Sequence, residues 1–154
     1  MPNSRSFRDV LGRYPTGVAL VTAFSDGRAL GITVNSFASV SLDPPLILWS
    51  IERDTERHGI FRDAEHFAIN ILASDQADLA HACALEADLA KCRHSWTGET
   101  APLIDGAVGH LVCRLHSVMP GGDHDIILGE VAEFATVRDV PALVFYRGGY
   151  SQPG

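Results

Sequence analysis

Residues 17–34, GVALVTAFSDGRALGITV, constrain the fold more than any other stretch of this chain. Two apolar, strand-length runs (17–24 and 29–34) flank Ser25-Asp26-Gly27-Arg28, a connection too short for anything but an antiparallel return. Gly27 is the residue free to take positive φ in that turn. The pattern continues downstream: 46–52, LILWSIE, HFAINIL, 107–118, 126–138 and 142–147 all read as strands. Helical signals are fewer. Phe7, Val10, Leu11 and Tyr14 follow the i, i+3, i+4, i+7 spacing of a short amphipathic helix, stopped by Pro15. DTERHGIFRD predicts another short helix. The longest is expected over 75–90, with Ser74 as cap, Asp75 and Asp78 at its positive end, and alanine and leucine filling it. Residues 93–106 read as irregular. Six or seven strands with two or three short helices predict a mainly β fold, a closed or nearly closed antiparallel barrel. Neither strand–helix alternation nor a GxGxxG or GxxxxGK[ST] phosphate loop is present.

The 154 residues are read as one domain, 1–154. A formal net charge of −7 with a single lysine, Lys91, argues against a general nucleic-acid binder. The polar N-terminus lacks the apolar core of a signal peptide, and no apolar run is long enough for a membrane span. Cys83, Cys92 and Cys113 are odd in number and lack a disulfide-framework spacing, so a reducing cytoplasm is expected. Histidine lies near cysteine at His81-x-Cys83, Cys92-x-His94 and Cys113-x-x-His116, but without paired CxxC spacing. No metal site is therefore expected.

Four places could carry chemistry. In 31–48, GITVNSFASVSLDPPLIL, small hydroxyl and amide side chains crowd a strand, where a buried polar group without a partner costs about 1–3 kcal/mol. These side chains either bond their own backbone in a corner or line a pocket for a flat ring with polar edges. Gly121-Gly122-Asp123-His124-Asp125 reads as a glycine hairpin turn with a histidine able to donate at a rim. Tyr146-Arg147-Gly148-Gly149-Tyr150 could cover the core or stack on a ring. Arg53, Thr55, Arg57 and His58, interleaved with Glu52, Asp54 and Glu56, form either a solvated face or a phosphate site with helix N–H donors.

Taken together, FRDVLGRYPTGVALVT, GITVNSFASVSLDPPLIL, HFAINIL, APLIDGAVGHLVCRL, GGDHDIILGEV and LVFYRGGY resemble, in order over about residues 7–150, the short-chain flavin reductase family. Its members are the reductase components of two-component flavin-dependent monooxygenases. The resemblance implies an FMN-binding split β-barrel, usually a homodimer, in which NADH or NADPH passes hydride to FMN or FAD. It further implies delivery of reduced flavin to a separate monooxygenase. Alternatives that keep the fold are a flavoprotein that retains FMN for another redox substrate, and a non-catalytic flavin-binding module. Carried onto this chain, the resemblance sets Thr33, Val34, Asn35 and Ser36 at the ring edge and Ser39, Val40 and Ser41 along the ring and ribityl chain. Ser50 and Ile51 continue the wall, with Arg53, Thr55 and Arg57 at the phosphate. His124 is the implied nicotinamide and hydride-transfer residue, and Tyr146 and Tyr150 the closing aromatics. ERDTERH is more charged than the Ser/Thr-rich phosphate segment common in relatives, which leaves FMN and FAD both open.

Overall fold

A computed structural model describes residues 3–154. Helix α1 (Ser4–Leu11) is capped by Asn3, whose side chain accepts from the Arg5 amide at 2.8 Å. There follow β1 (Thr16–Gly17), β2 (Ala19–Ser25), β3 (Arg28–Val34), β4 (Ala38–Leu42), β5 (Pro45–Glu52), α2 (His58–Arg62) and β6 (His66–Ile71). The second half contains α3 (Ala77–Leu85), β7 (Trp96–Thr97), β8 (Leu103–Ile104), β9 (Gly109–Gly121), β10 (His124–Thr136), β11 (Val144–Tyr146) and β12 (Gly149–Ser151).

Seven strands form one antiparallel sheet in the order β3-β2-β6-β9-β10-β5-β4. The expected hairpin is present: Ala19 pairs with Val34 and Ser25 with Arg28, and Asp26 and Gly27 both take positive φ at the turn. The sheet curls around an inner core in which Trp49 meets Phe61 and Phe67 edge to face, with centroids 5.8 and 5.9 Å apart. A second core, under α3, joins Leu20, Leu72, Leu79, Leu89 and Leu143. The ladder does not close into the fully closed barrel allowed above, because β3 and β4 remain as the two ends of the sheet.

Three expectations need correction. The helix expected over 75–90 ends at Leu85, because the next segment leaves the helical path to bond with β3. Gly31 N donates to Ala87 O at 2.8 Å, and Leu89 N donates to Ala29 O at 3.0 Å. Pairing with an exposed strand edge outweighs the local preference of Glu86, Ala87, Leu89 and Ala90 for continuing the helix. The helix entry also differs, since Ser74 lies in a short 3₁₀ turn, Ser74–Gln76. Gln76 Oε1 accepts from the Ala73 amide at 3.0 Å ahead of that turn, and no side-chain hydrogen bond caps α3 among the described residues. Helix α1 stops at Gly12, three residues short of Pro15, and its apolar face is not used by the core: Phe7, Val10 and Leu11 are all exposed.

The long hairpin β9–β10 bends where its register shifts between Leu128 and Gly129. Gly129 lies under an aromatic ring; a Cβ there would stand 2.5 Å from Phe67 Cζ and 2.9 Å from Cys113 Cβ. Both neighbours are buried and cannot yield freely. Gly129→Ala should therefore destabilise the protein by about 1–3 kcal/mol, measured by urea unfolding. A neutral effect would show that the bend can open without cost.

Candidate functional site: a seam between two unpaired strands

The sheet leaves β3 and β4 as its two ends, and no ladder joins β3 to β5. A serine bridges them instead: Ser36 Oγ accepts from the Ser50 amide at 2.9 Å and lies 3.4 Å from the Ser50 carbonyl. A cavity of about 350 Å³ opens along this seam, lined by Ile32, Val34 and Ile51 on its apolar parts. Its polar lining comes from Thr33, Asn35, Ser36, Ser50, Glu52, Thr55, Arg57 and His124, with Ala84 from the end of α3. A smaller cavity adjoins it, sharing Thr33, Val34, Asn35 and Ala84 and reaching Phe145 and Tyr150.

Backbone geometry adds donors and acceptors to this wall. Since Gly31 N and Ala29 O bond away from β2, toward the 86–89 segment, the two-residue period of a strand turns the Thr33 backbone groups to the same outer edge. That edge is covered as far as Gly31 and open at the cavity. The Thr33 hydroxyl is already used, donating to Ala80 O of α3 at 2.7 Å.

The charged groups divide into two sets. Arg57 spans three carbonyls, reaching Cys83 O at 2.6 Å, Ala84 O at 2.9 Å and Gly31 O at 3.2 Å. It thereby pins the C-terminal end of α3, where a cation is favoured, to β3, and keeps positive charge in the cavity wall. Arg53 turns away instead. Its guanidinium donates twice to Asp125 Oδ1, at 2.9 and 3.1 Å, while Asp125 Oδ2 sits 2.6 Å from His58 Nε2 and 3.9 Å from Arg62 Nε. Asp125, 6% exposed, caps one end of the inner core. The hydrogen bond from His58, then that from Arg53, holds its carboxyl below the ordinary carboxylate range. On the opposite face of β10, His124 Nδ1 lies 2.7 Å from Asp123 Oδ1, and that hydrogen bond lowers the Asp123 carboxyl in turn.

Of the residues named from sequence, Thr33, Val34, Asn35, Ser36, Ser50, Ile51, Thr55, Arg57 and His124 share the larger cavity, and Tyr150 reaches the adjoining one. Ser39, Val40 and Ser41 line neither. They lie on β4, around a register shift, with Ser39 and Val40 exposed. Arg53 is held by Asp125, and Tyr146 is exposed on β11. Helix α2 begins after Arg57 and has five residues, none of which lines the cavity. Sequence reasoning missed Ala84, Ile32 and Glu52 in the wall, and the role of Asp125. The register of β10 on β5, which pairs His124 with Glu52 and Asp125 with Ile51, creates the Asp125–Arg53 contact. Only the acid–base complementarity of ERD and GDHD hints at it in the sequence.

The fold is thus an antiparallel sheet with unjoined ends and a polar cavity beside them. Residues 11–154 match the flavin reductase like domain. The FMN reductase (NADH) SmoA of Agrobacterium fabrum is 44% identical over 152 residues, covering 97% of this chain and 86% of the relative. The reductase component of the flavin-dependent trigonelline monooxygenase of Acinetobacter baylyi is 43% identical over 152 residues; the match covers 97% of this chain but 49% of that protein. Among solved structures, the NADH:FAD oxidoreductase SgcE6 of Streptomyces globisporus, in complex with NAD and FAD fragments, superposes with a TM-score of 0.92 at 36% identity, covering 99% of this chain and 93% of the other. The chain belongs to the flavin reductase family.

Asp125 supplies a test of the charge network. A carboxyl held below its unfolded value, near about 3.9, contributes stability that is present above that value and lost as pH falls through the lower folded value. Asp125→Asn should lower the midpoint of thermal unfolding at neutral pH. Its gap to the wild type should close as the pH drops below about 4, followed by calorimetry across the acid range. A gap that stays constant into strong acid would show that the carboxylate charge is not what stabilises this end of the core.

Proposed function

We propose that this chain is a single flavin reductase domain that transfers hydride from NADH or NADPH to FMN or FAD at the seam cavity and releases the reduced flavin to a separate monooxygenase. The observation that carries this reading is the seam itself. It is a slot between strands with apolar walls, an unpaired strand edge, hydroxyl and amide side chains and an arginine in one wall, in a chain of the flavin reductase family.

The residues fit a flavin in kind. A planar ring with alternating donors and acceptors needs both along its edge, and Asn35, Ser36, Ser50 and the Thr33 backbone offer both. Ile32, Val34 and Ile51 would exclude water from its faces, and Thr55 and Arg57 stand where a phosphate would be met by a hydroxyl and a positive charge. When bound, the flavin supplies the hydride-accepting chemistry, and the protein orients it and tunes its surroundings. His124, steadied by Asp123, would position the nicotinamide at the cavity mouth, and Tyr150 would cover the adjoining hollow. Ser39, Val40, Ser41, Arg53 and Tyr146 would meet the ligand only if it extends beyond the seam.

A homodimer is part of this proposal. Among the described residues, the apolar stripe of α1 (Phe7, Val10 and Leu11) stays exposed, and Leu42, at the end of β4, is 96% exposed. Such apolar surface fits burial against a second copy. Among the described residues no helix is long and apolar enough to cross a membrane. A cytoplasmic location is proposed because reduced nicotinamide and three free thiols both belong in a reducing compartment.

The test is the oxidation of NADH and of NADPH by flavin-stripped protein, with FMN, FAD or neither added in excess. Turnover that depends on the excess flavin is expected. A yellow protein that oxidises neither nucleotide would overturn the reductase reading in favour of a binding module. In the same assay His124→Ala should lower kcat about tenfold or more, the loss of roughly 1.4 kcal/mol of transition-state stabilisation. Its flavin Kd should stay within about threefold of wild type. Equal losses in rate and flavin affinity would place His124 in the flavin site rather than the nicotinamide site.

A further inference from the structure

We propose that Cys83 and Cys92 are a reversible disulfide site, oxidised by peroxide and mechanically coupled to the seam cavity. Their sulfurs are 3.2 Å apart with no bond between them. Cys83 is buried on the last turn of α3, whereas Cys92 is half-buried at the end of the irregular segment that leaves that helix. A disulfide needs about 2.05 Å between sulfurs, so a small side-chain and loop adjustment closes the gap. The third cysteine, Cys113, is fully buried in the inner core, which makes it an internal control.

The order of events follows from access and charge. Burial, and then the neighbouring Cys92 thiol, pushes the Cys83 thiol up and keeps it protonated. Cys92, the more accessible sulfur, therefore meets the oxidant first. Its thiolate attacks one oxygen of hydrogen peroxide, the O–O bond breaks, and the departing hydroxide takes a proton to become water, leaving a sulfenic acid on Cys92. The Cys83 sulfur then attacks the Cys92 sulfur. The S–S bond forms, the S–O bond breaks, and the hydroxide leaves with the Cys83 proton as a second water. In sum, two thiols and one peroxide give one disulfide and two waters, and a dithiol reverses the step.

The oxidant has a local source, an argument that rests on the flavin reductase reading. Reduced flavin that meets oxygen before reaching an oxygenase yields oxidised flavin and hydrogen peroxide. The coupling to the cavity is direct. Cys83 O accepts from Arg57 at 2.6 Å, the next carbonyl, Ala84 O, accepts from the same guanidinium at 2.9 Å, and Ala84 lines both cavities. Drawing Cys83 toward Cys92 shifts these carbonyls and the arginine that they hold in the wall.

The test starts with the full chain free of flavin and nicotinamide, treated with hydrogen peroxide, denatured and alkylated. Intact mass should show one alkylated cysteine in place of three, a peptide map should link Cys83 to Cys92, and dithiothreitol should restore all three thiols. Three alkylatable thiols after peroxide, or sulfinic acid on Cys92 with Cys83 still alkylatable, would overturn the site. In Cys92→Ser both remaining thiols should stay alkylatable. FMN titration should show about threefold weaker binding or more in the oxidised wild type, with no response to peroxide in Cys92→Ser; unchanged affinity in the oxidised wild type would overturn the coupling. A last arm runs turnover with NADH, FMN and oxygen, with and without catalase. Disulfide formation with added peroxide but not during turnover would overturn the proposed oxidant source. Failure of NADH oxidation itself would count against the reductase reading, leaving the thiol result to stand on its own.

Discussion

A single serine hydroxyl holds together two strands that no ladder joins. Ser36, two residues past the end of β3, accepts from the Ser50 amide of β5, and the width of the cavity between β3 and β5 depends on that bond. Unpaired strand edges are normally covered or blunted, since they offer a row of free donors and acceptors. This chain covers half of one edge: Ala87 and Leu89 bond to β3 at Gly31 and Ala29, and the cover ends there. From Thr33 onward the edge is free, with Val34 and Ile32 as apolar walls and Ser50 and Thr55 opposite. The cavity is thus the uncovered remainder of an edge that is elsewhere protected.

Charge around this opening is sorted by one buried carboxylate. Asp125 gathers Arg53, His58 and Arg62 at the end of the inner core, and none of the three lines the cavity. Arg57 remains, and its fork is directed by three carbonyls that no other donor occupies in this way. A planar guanidinium can satisfy that geometry where an ammonium could not. The arrangement ties the position of the wall charge to the end of α3, so a change at Cys83 is felt in the cavity without any lining residue being replaced.

The parts of the fold that sequence could reveal were those governed by local rules. The 17–34 hairpin follows from turn chemistry and two apolar runs, and its register is the one the turn dictates. The strand nature of HFAINIL follows from its β-branched and aromatic content; its central place, between β2 and β9, does not. The end of α3 was misjudged because Glu86–Ala90 has helical composition, and what stops the helix is an edge strand more than fifty residues earlier in the chain. The same limit applies to the site. Residues 33–36 and 50–57 stood out by composition, yet the fate of Arg53 was decided by a strand pairing that places Asp125 opposite Ile51. Ala84, which lines both cavities, has no chemical signature at all.

The crowded hydroxyls of residues 33–41 teach a further point about how a ligand site is marked. Such groups either bond the protein itself or await a ligand. For two of these hydroxyls the first alternative holds. The hydroxyls of Thr33 and Ser36 are satisfied within the fold, by Ala80 O and by Ser50, and they serve to fix the spacing of the seam. Among the described residues, the buried side-chain atoms left without a partner are Thr16 Oγ1 and Trp49 Nε1, and neither lines the cavity. Frustrated buried side chains therefore do not identify this site. What does is a strand edge whose backbone groups face a slot of ligand size, held open by side chains that have already found their partners. In such a site the small polar residues act first as spacers, and their types are set by the fold before any ligand arrives.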